Sequence, residues 1–346
     1  MPVRSCERTD AALVATAMTS AGDVDAVVRA GGPRVAALLE RAEARLAELA
    51  VGHGAALARH ASATIAAGGK RLRPLLVLLA AGDDARGAAA EERLVRAAAA
   101  VELIHSASLV HDDVLDGAPL RRGMPTVVAE AGRTVATATG DLLFSRAFAE
   151  LAAGGELDDV RALSDAASAL AAGELLQRED AWNVQVPLAR YLHRCALKTG
   201  SLFEAACRLG ALAAGQSAAS VAALARYGAG VGLAFQLLDD VLDVAGPASR
   251  TGKARGTDLL DGTVTLPLIL ARERDPQLAR LDVRALRTPA EAEAVCDRIA
   301  ATGALDSARE HALAVVADAR AELPRLPQRQ RAALELVAAG VVERYA

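Results

Sequence analysis

From Pro33 onward, apolar residues recur every three or four positions almost without interruption, the period of an amphipathic or buried helix. The pattern is clearest in "VAALLERAEARLAELA", "RPLLVLLAAG", "EERLVRAAAAVELIHSASLVHDD", "GDLLFSRAFAELAAG" and "VRALSDAASALAAGELLQ". It breaks at short clusters of Gly, Pro and Asp such as "AGGKRLRP", "DGAPLRRG" and "GPASRTGKARGTD". No segment alternates in the manner of a strand. The expectation is an all-α, single-domain bundle of ten or more helices over residues 31–346, with no linker marking a second domain. Residues 1–30 carry no strong pattern and read as a poorly ordered lead-in.

Composition sharpens this. Hydrophobic residues make up 53% of the chain and aromatics only 2%, so a core must be packed from small aliphatic side chains, which favours close helices over sheets. The net charge of −4 comes from 39 basic and 43 acidic residues, well mixed. No basic field and almost no stacking surface exist for nucleic acid. Cys6, Cys195, Cys207 and Cys296 show no metal-ligand spacing and read as reduced thiols of a cytoplasmic protein. Arg4 and Arg8 ahead of "AALVATAM" mimic a secretion signal weakly, but Glu7 and Asp10 interrupt it. No apolar run is expected to approach the ~18 residues of a membrane span. There is no phosphate-binding Walker loop. "GAGVG" (Gly228 to Gly232) lacks a preceding strand and fits better as a close helix-packing site.

Two short acidic stretches sit inside this apolar pattern: "SLVHDDVLDGAPLRRG" and "AFQLLDDVLD". At about 100° per residue, Asp112 and Asp116 share one helix face with Asp113 offset, and Asp239 and Asp243 repeat the arrangement with Asp240 offset. One such box reads equally well as a solvated helix face. Two, each in apolar surroundings where unpaired carboxylates repel and resist desolvation, call for cations between them. All-oxygen ligation suits Mg²⁺, which keeps waters and borrows phosphate oxygens. Phosphate-binding groups are in reach. "GGKRLRP" puts Lys70, Arg71 and Arg73 at a glycine turn ahead of a helix start, and Arg121 and Arg122 follow the first box after a Gly-Pro turn. A solvated basic loop is the alternative. His105, on the same helix as Asp112, reads alone as a core histidine. Lys198, in "LKTGSLFEAA", precedes a helix-disrupting Thr-Gly that marks either a kink exposing carbonyls or a packing glycine.

The ordered set "GGKRLRP", "HDDVLDGAPLRRGMPT", "GDLLFSRAF", "GELLQ", "KTGSLFEAA", "AFQLLDDVLD" and "GKARGTDLLDGTVTLP" resembles the conserved blocks of the trans-isoprenyl diphosphate synthases, the polyprenyl synthetase family. The resemblance implies an isoprenoid synthase fold, helices around a deep central cavity, in a homodimer. It implies Mg²⁺, three ions once diphosphate is bound, with metal residues Asp112, Asp113, Asp116, Asp239, Asp240 and Asp243; Asp112, Asp116 and Asp239 would be the principal ligands. Arg121 and Lys198 would contact the allylic diphosphate, and Lys70, Arg73, His105 and Arg122 the diphosphate of isopentenyl diphosphate. Thr199 and Gln236 would ease the allylic cation with their dipoles. The implied reaction is Mg-dependent head-to-tail condensation to an all-trans polyprenyl diphosphate, with at most peripheral membrane contact for product release.

One position departs from the family. Its usual "GK-x-TLP" lysine is Thr263 here, which leaves a charge-assisted contact missing or supplied by Lys253 or Arg255. Product length is read from the residues four and five before Asp112, which are Ser108 and Ala107, both small, with Ile104 and Leu103 a turn further. That favours a long product of six or more isoprene units over farnesyl or geranylgeranyl diphosphate, unless Phe144 or Phe148 closes the tunnel. A terpene cyclase, which needs no isopentenyl site, and a non-catalytic synthase subunit, which would lose acidic residues, are the rival readings.

Overall fold

The computed structural model describes residues 22–51, 55–66, 69–121, 123–246 and 255–343. The secretion-signal mimic, Cys6, Arg122 and Lys253 lie outside them.

The chain runs as helices α1 (Gly22–Gly31), α2 (Pro33–Ala50), α3 (Ala55–Ala66), α4 (Leu72–Ala81), α5 (Ala88–Asp116), α6 (Val127–Ala152), α7 (Leu157–Glu179), α8 (Leu188–Cys195), α9 (Ser201–Ala213) and α10 (Ala218–Ala245). It continues through α11 (Thr257–Leu260), α12 (Leu266–Arg274), α13 (Pro276–Ala279), α14 (Pro289–Ala301), α15 (Ala304–Glu322) and α16 (Gln328–Glu343). The all-α expectation holds, with two refinements. Gly22–Gly31, inside the stretch read as a lead-in, is a helix packed on α16 and α4. Leu120–Arg121 and Met124–Pro125 form a two-residue antiparallel ladder, too short for any alternation to show in sequence.

Small residues set the packing. α9 and α10 lie flank to flank, and a Cβ added at Gly228 would sit 2.5 Å from the Phe203 carbonyl oxygen. A Cβ added at Gly232 would sit 2.9 Å from Gly200 Cα. The "GAGVG" glycines are therefore a contact surface. Three large buried rings, Tyr191, Tyr227 and Phe203, pin the aliphatic core. The Tyr227 hydroxyl donates to the Leu334 carbonyl at 2.6 Å and ties α10 to α16. Cys195, Cys207 and Cys296 are buried free thiols. α10 is long and apolar enough to cross a membrane, with a mean hydropathy of 1.4 in its most apolar window, contrary to the sequence expectation. It is instead the central rod of the bundle, and 61% of that window is buried. The expectation failed because alanine raises hydropathy without forming one long run of bulky residues.

Candidate active site

The C-terminal end of α5 and the C-terminal half of α10 face each other across a cavity of about 260 Å³. Asp112 and Asp116, one turn apart, look into it from α5, and Asp239 looks in from α10. Asp258, in the first turn of the short α11, and Asp261, just past its end, reach the same cavity and were not singled out from the sequence. Their spacing in "TDLLDG", one helical turn, was the available signal. The apolar part of the wall comes from Leu109, Leu170, Leu202 and Phe235.

The offset aspartates do other work. Asp113 is buried and takes both Nε and Nη2 of Arg121 on one carboxylate oxygen, at 2.8 and 2.7 Å. The hairpin ladder pairing Arg121 with Met124 is what carries this arginine back to α5. Asp240 is buried between the Tyr191 hydroxyl at 2.6 Å and Gln236 Nε2 at 2.7 Å. Burial pushes its carboxyl well up, helped by the charges of Asp258 and Asp239 and opposed by those two hydrogen bonds. Asp243 accepts from the Asp258 backbone N–H at 3.3 Å. Asp113, Asp240 and Asp243 are therefore absent from the cavity wall, against the expectation that all six aspartates serve the metal. A helix cannot turn two consecutive side chains the same way, and Asp243, holding the Asp258 backbone N–H, braces α11.

Of the two readings of Thr199-Gly200, a kink or a packing glycine, the structure bears on the first. Ala196–Gly200 forms a π-helical turn between α8 and α9, a feature that recurs at functional sites because it re-aims side chains. Gly173 of α7 accommodates it, since a Cβ there would lie 2.5 Å from the Lys198 backbone nitrogen. The turn presents Lys198 and Thr199 to the cavity. Lys198 pairs with Glu174 and lies 3.4 Å from Gln177 Oε1. Burial would raise the Glu174 carboxyl, but Lys198 and Arg178 beside it dominate and hold it below the usual carboxylate range. Burial likewise works to lower Lys198, yet the charges of Asp112 and Glu174 outweigh it and raise it. At Asp112 burial wins over Lys198, and the carboxyl is raised. Thr199 donates to Gln236 Oε1 at 2.7 Å, which fixes the amide whose Nε2 serves Asp240.

Arg73 and His105 line the far side, the Arg73 guanidinium 4.5 Å above the Phe203 ring. Lys70 does not join them on this wall; it borders a neighbouring apolar hollow with Leu72, Leu75 and Phe235. Arg71, left-handed at φ 47°, turns away to Glu102 at 2.7 Å and the Ile65 carbonyl at 2.8 Å. Thr263 lines the cavity, whereas Arg255 turns to Asp297 and the Val244 carbonyl, each at 2.9 Å. Arg178, also missed from sequence, stands at the mouth and bridges Asp116 at 2.6 Å and Glu174 at 2.8 Å. Its position four residues after Glu174 was the only sequence cue.

Among the described residues, no three His, Cys, Asp or Glu side chains converge tightly enough to hold an ion by themselves. Carboxylates from two helices across an open cavity fit cations that complete their shell with water and substrate phosphate oxygens.

A sequence model of the polyprenyl synthetase family matches residues 55–302. The chain is 42% identical to heptaprenyl diphosphate synthase component 2 of Geobacillus stearothermophilus over 248 residues, 71% of this chain and 76% of that one. It is 36% identical to geranylgeranyl diphosphate synthase of Methanosarcina mazei, over 74% of this chain and 80% of that one. A polyprenyl synthase from Caulobacter crescentus, solved with calcium and isoprenyl diphosphate, superposes with a TM-score of 0.85 at 37% identity, over 93% of this chain and 98% of that one. With residues of both acidic boxes, Arg73, Arg121 and Lys198 meeting in one cavity and a matched segment that spans most of the fold, the chain belongs to the polyprenyl synthetase family.

Proposed function

We propose that this chain condenses isopentenyl diphosphate head-to-tail onto an allylic prenyl diphosphate, giving an all-trans polyprenyl diphosphate. The observation that carries this reading is the single cavity in which Asp112, Asp116 and Asp239 oppose the cations Arg73, Arg121 and Lys198 over an apolar floor. Asp112, Asp116 and Asp239 would hold Mg²⁺, which supplies Lewis-acid neutralisation of the departing diphosphate. Arg121, oriented by Asp113, and Lys198, oriented by Glu174, bind the allylic diphosphate. Arg73 and His105 bind the second diphosphate. As the allylic C–O bond breaks and pyrophosphate leaves, the Thr199 hydroxyl oxygen and the Gln236 amide lie against the carbon that becomes cationic. The isopentenyl double bond attacks that carbon, a C–C bond forms, and a proton leaves the new unit for the pyrophosphate. No protein nucleophile is required.

A cyclase would ionise one substrate and leave Arg73 and His105 without a task. The Geobacillus relative is a component 2 by name, but the acidic set needed for ionisation is complete in this chain. We therefore assign catalysis to it, acting in the cytoplasm as a homodimer. Ser108 lines the cavity and is small, and Phe235 is its one aromatic wall residue among the described residues, which supports a product of six or more isoprene units. Phe144 instead stacks on His111, ring centroids 5.7 Å apart, and neither it nor Phe148 lines the cavity.

Purified chain given radiolabelled isopentenyl diphosphate, Mg²⁺ and farnesyl diphosphate should yield extended prenyl diphosphates. Hydrocarbon release from the allylic substrate alone would favour the cyclase, and no turnover without a second polypeptide would favour the subunit reading.

A further inference from the structure

Among the described residues, the position where the family resemblance leads one to expect a cation on the allylic side of the cavity holds Thr263, and Arg255 is turned to Asp297. We infer that Arg178 supplies that charge: it is a diphosphate-binding residue that substitutes, from α7, for a side-chain cation at position 263. The inference rests on the proposed reading of the cavity as an allylic diphosphate site.

The two positions are joined by the fold. Four residues after Arg178, the Trp182 backbone N–H donates to the Gly262 carbonyl at 2.7 Å, and the indole packs on Gly262 where a Cβ would stand 2.4 Å from the ring. Trp182 holds this contact in the left-handed region, φ 66°, a strain that persists only where surrounding packing enforces it. On the other side of Thr263, Arg194 bonds the Val264 carbonyl and also Asp180 at 3.4 Å, just past the end of α7. Thr263 is thus clamped against the end of the helix that carries Arg178, and both side chains line one cavity.

Arg178 is also placed to move. Its side chain is 38% exposed, and its partners are Glu174, which Lys198 also neutralises, and Asp116. Once Asp116 turns to a cation, one of those two pairings is released. The planar guanidinium can then bind two phosphate oxygens at once. Threonine at 263 leaves that space open.

The test needs no turnover. Mg-pyrophosphate is titrated into the intact protein and followed by the fluorescence of Trp182, the only tryptophan in the chain, with calorimetry as a check. Arg178→Gln should weaken binding roughly ten- to a hundredfold, the scale of one charge-assisted contact. Thr263→Lys should recover at least tenfold in the Arg178→Gln background and less than about threefold in wild type. Wild-type affinity in Arg178→Gln, or equal gains from Thr263→Lys in both backgrounds, would overturn the inference. If Arg178→Gln loses its cooperative melt, Arg178→Ala is carried through the same cycle in the presence of glycerol, and the same two results decide. A wild-type protein that binds no pyrophosphate would instead defeat the proposed function.

Discussion

Arg121 places two guanidinium nitrogens on Oδ1 of Asp113, at 2.8 and 2.7 Å, while Asp112 beside it looks into the cavity. Adjacent aspartates therefore divide the labour, one facing the substrate and one aiming a cation at it. Asp113→Ala should lower activity mainly by raising the KM for the allylic substrate, by roughly tenfold, because a loosened Arg121 loses about one charge-assisted contact. Arg73→Ala should instead raise the KM for isopentenyl diphosphate. Steady-state kinetics with each substrate varied in turn separate the two, and identical patterns would contradict the assignment.

The carboxylates on the wall act through cations, so chelation with EDTA should abolish turnover and added Mg²⁺ should restore it. Asp112→Ala and Asp239→Ala should each cost at least a hundredfold in kcat while the melting temperature stays within a few degrees. Asp243→Ala, whose carboxylate braces α11 and does not line the cavity, should cost far less. Comparable losses in all three would show that the second box works as a whole.

How far the sequence carried this site can be read from these same residues. Helical periodicity places Asp112 and Asp116 on one face of one helix and Asp239 and Asp243 on one face of another, because spacing within a helix fixes direction. At Thr199-Gly200 the sequence leaves a kink and a packing glycine open. What spacing cannot show is which partner claims an offset side chain. Asp113 goes to Arg121 across a two-residue hairpin, and Asp240 goes to Tyr191, 49 residues earlier. Asp258, Asp261 and Arg178 stayed hidden for a related reason. Each arrives through a loop or helix end whose position is set by tertiary packing, such as Trp182 against Gly262. Lys70 stands off this wall because the turn around Arg71, left-handed in backbone, sends successive basic side chains in different directions.

Gly173 carries a packing burden that its neighbours do not reveal. A methyl group there would lie 2.5 Å from the Lys198 nitrogen and force the π-helical turn away from α7. Gly173→Ala should cost about 1–3 kcal/mol in stability, the range for overpacking, and should displace Lys198 from Glu174. Chemical denaturation and kcat measured on the same preparation should both fall. Unchanged values in both would mean that α7 and the turn can separate freely.

Glu174 links stability to pH. Its carboxyl titrates below the usual range in the folded protein because Lys198 and Arg178 favour the ionised form over the opposing effect of burial. A depressed folded value means that the contribution is complete above the ordinary carboxylate range and is lost as pH falls through the folded value. Wild type should therefore exceed Glu174→Gln in unfolding free energy at pH 7, and the gap should close on acidification below about pH 4. A gap independent of pH would assign the difference to packing.

Product length turns on Ser108. Its hydroxyl donates back to the His105 carbonyl at 2.8 Å, so the residue presents little bulk to the cavity it lines. Ala107, the other small residue before the first acidic box, is fully buried and absent from the cavity wall, so a large side chain there would disrupt packing and would not block a tunnel. Ser108→Phe, by contrast, projects a ring one turn, about 5.4 Å, from Asp112. That is close to the length of one extended isoprene unit, and it narrows the space between α5 and the wall at Leu170 and Leu202. Each added unit buries apolar surface worth about 0.8 kcal/mol per CH₂, so an open path retains intermediates and a closed one releases them early. Wild type should make chains of roughly six or more isoprene units, while Ser108→Phe shifts the distribution to short products with the first condensation nearly intact. Chromatography of the dephosphorylated alcohols reads both outcomes. Wild-type product ending at fifteen or twenty carbons would refute the length assignment, and unchanged products in Ser108→Phe would place the path elsewhere.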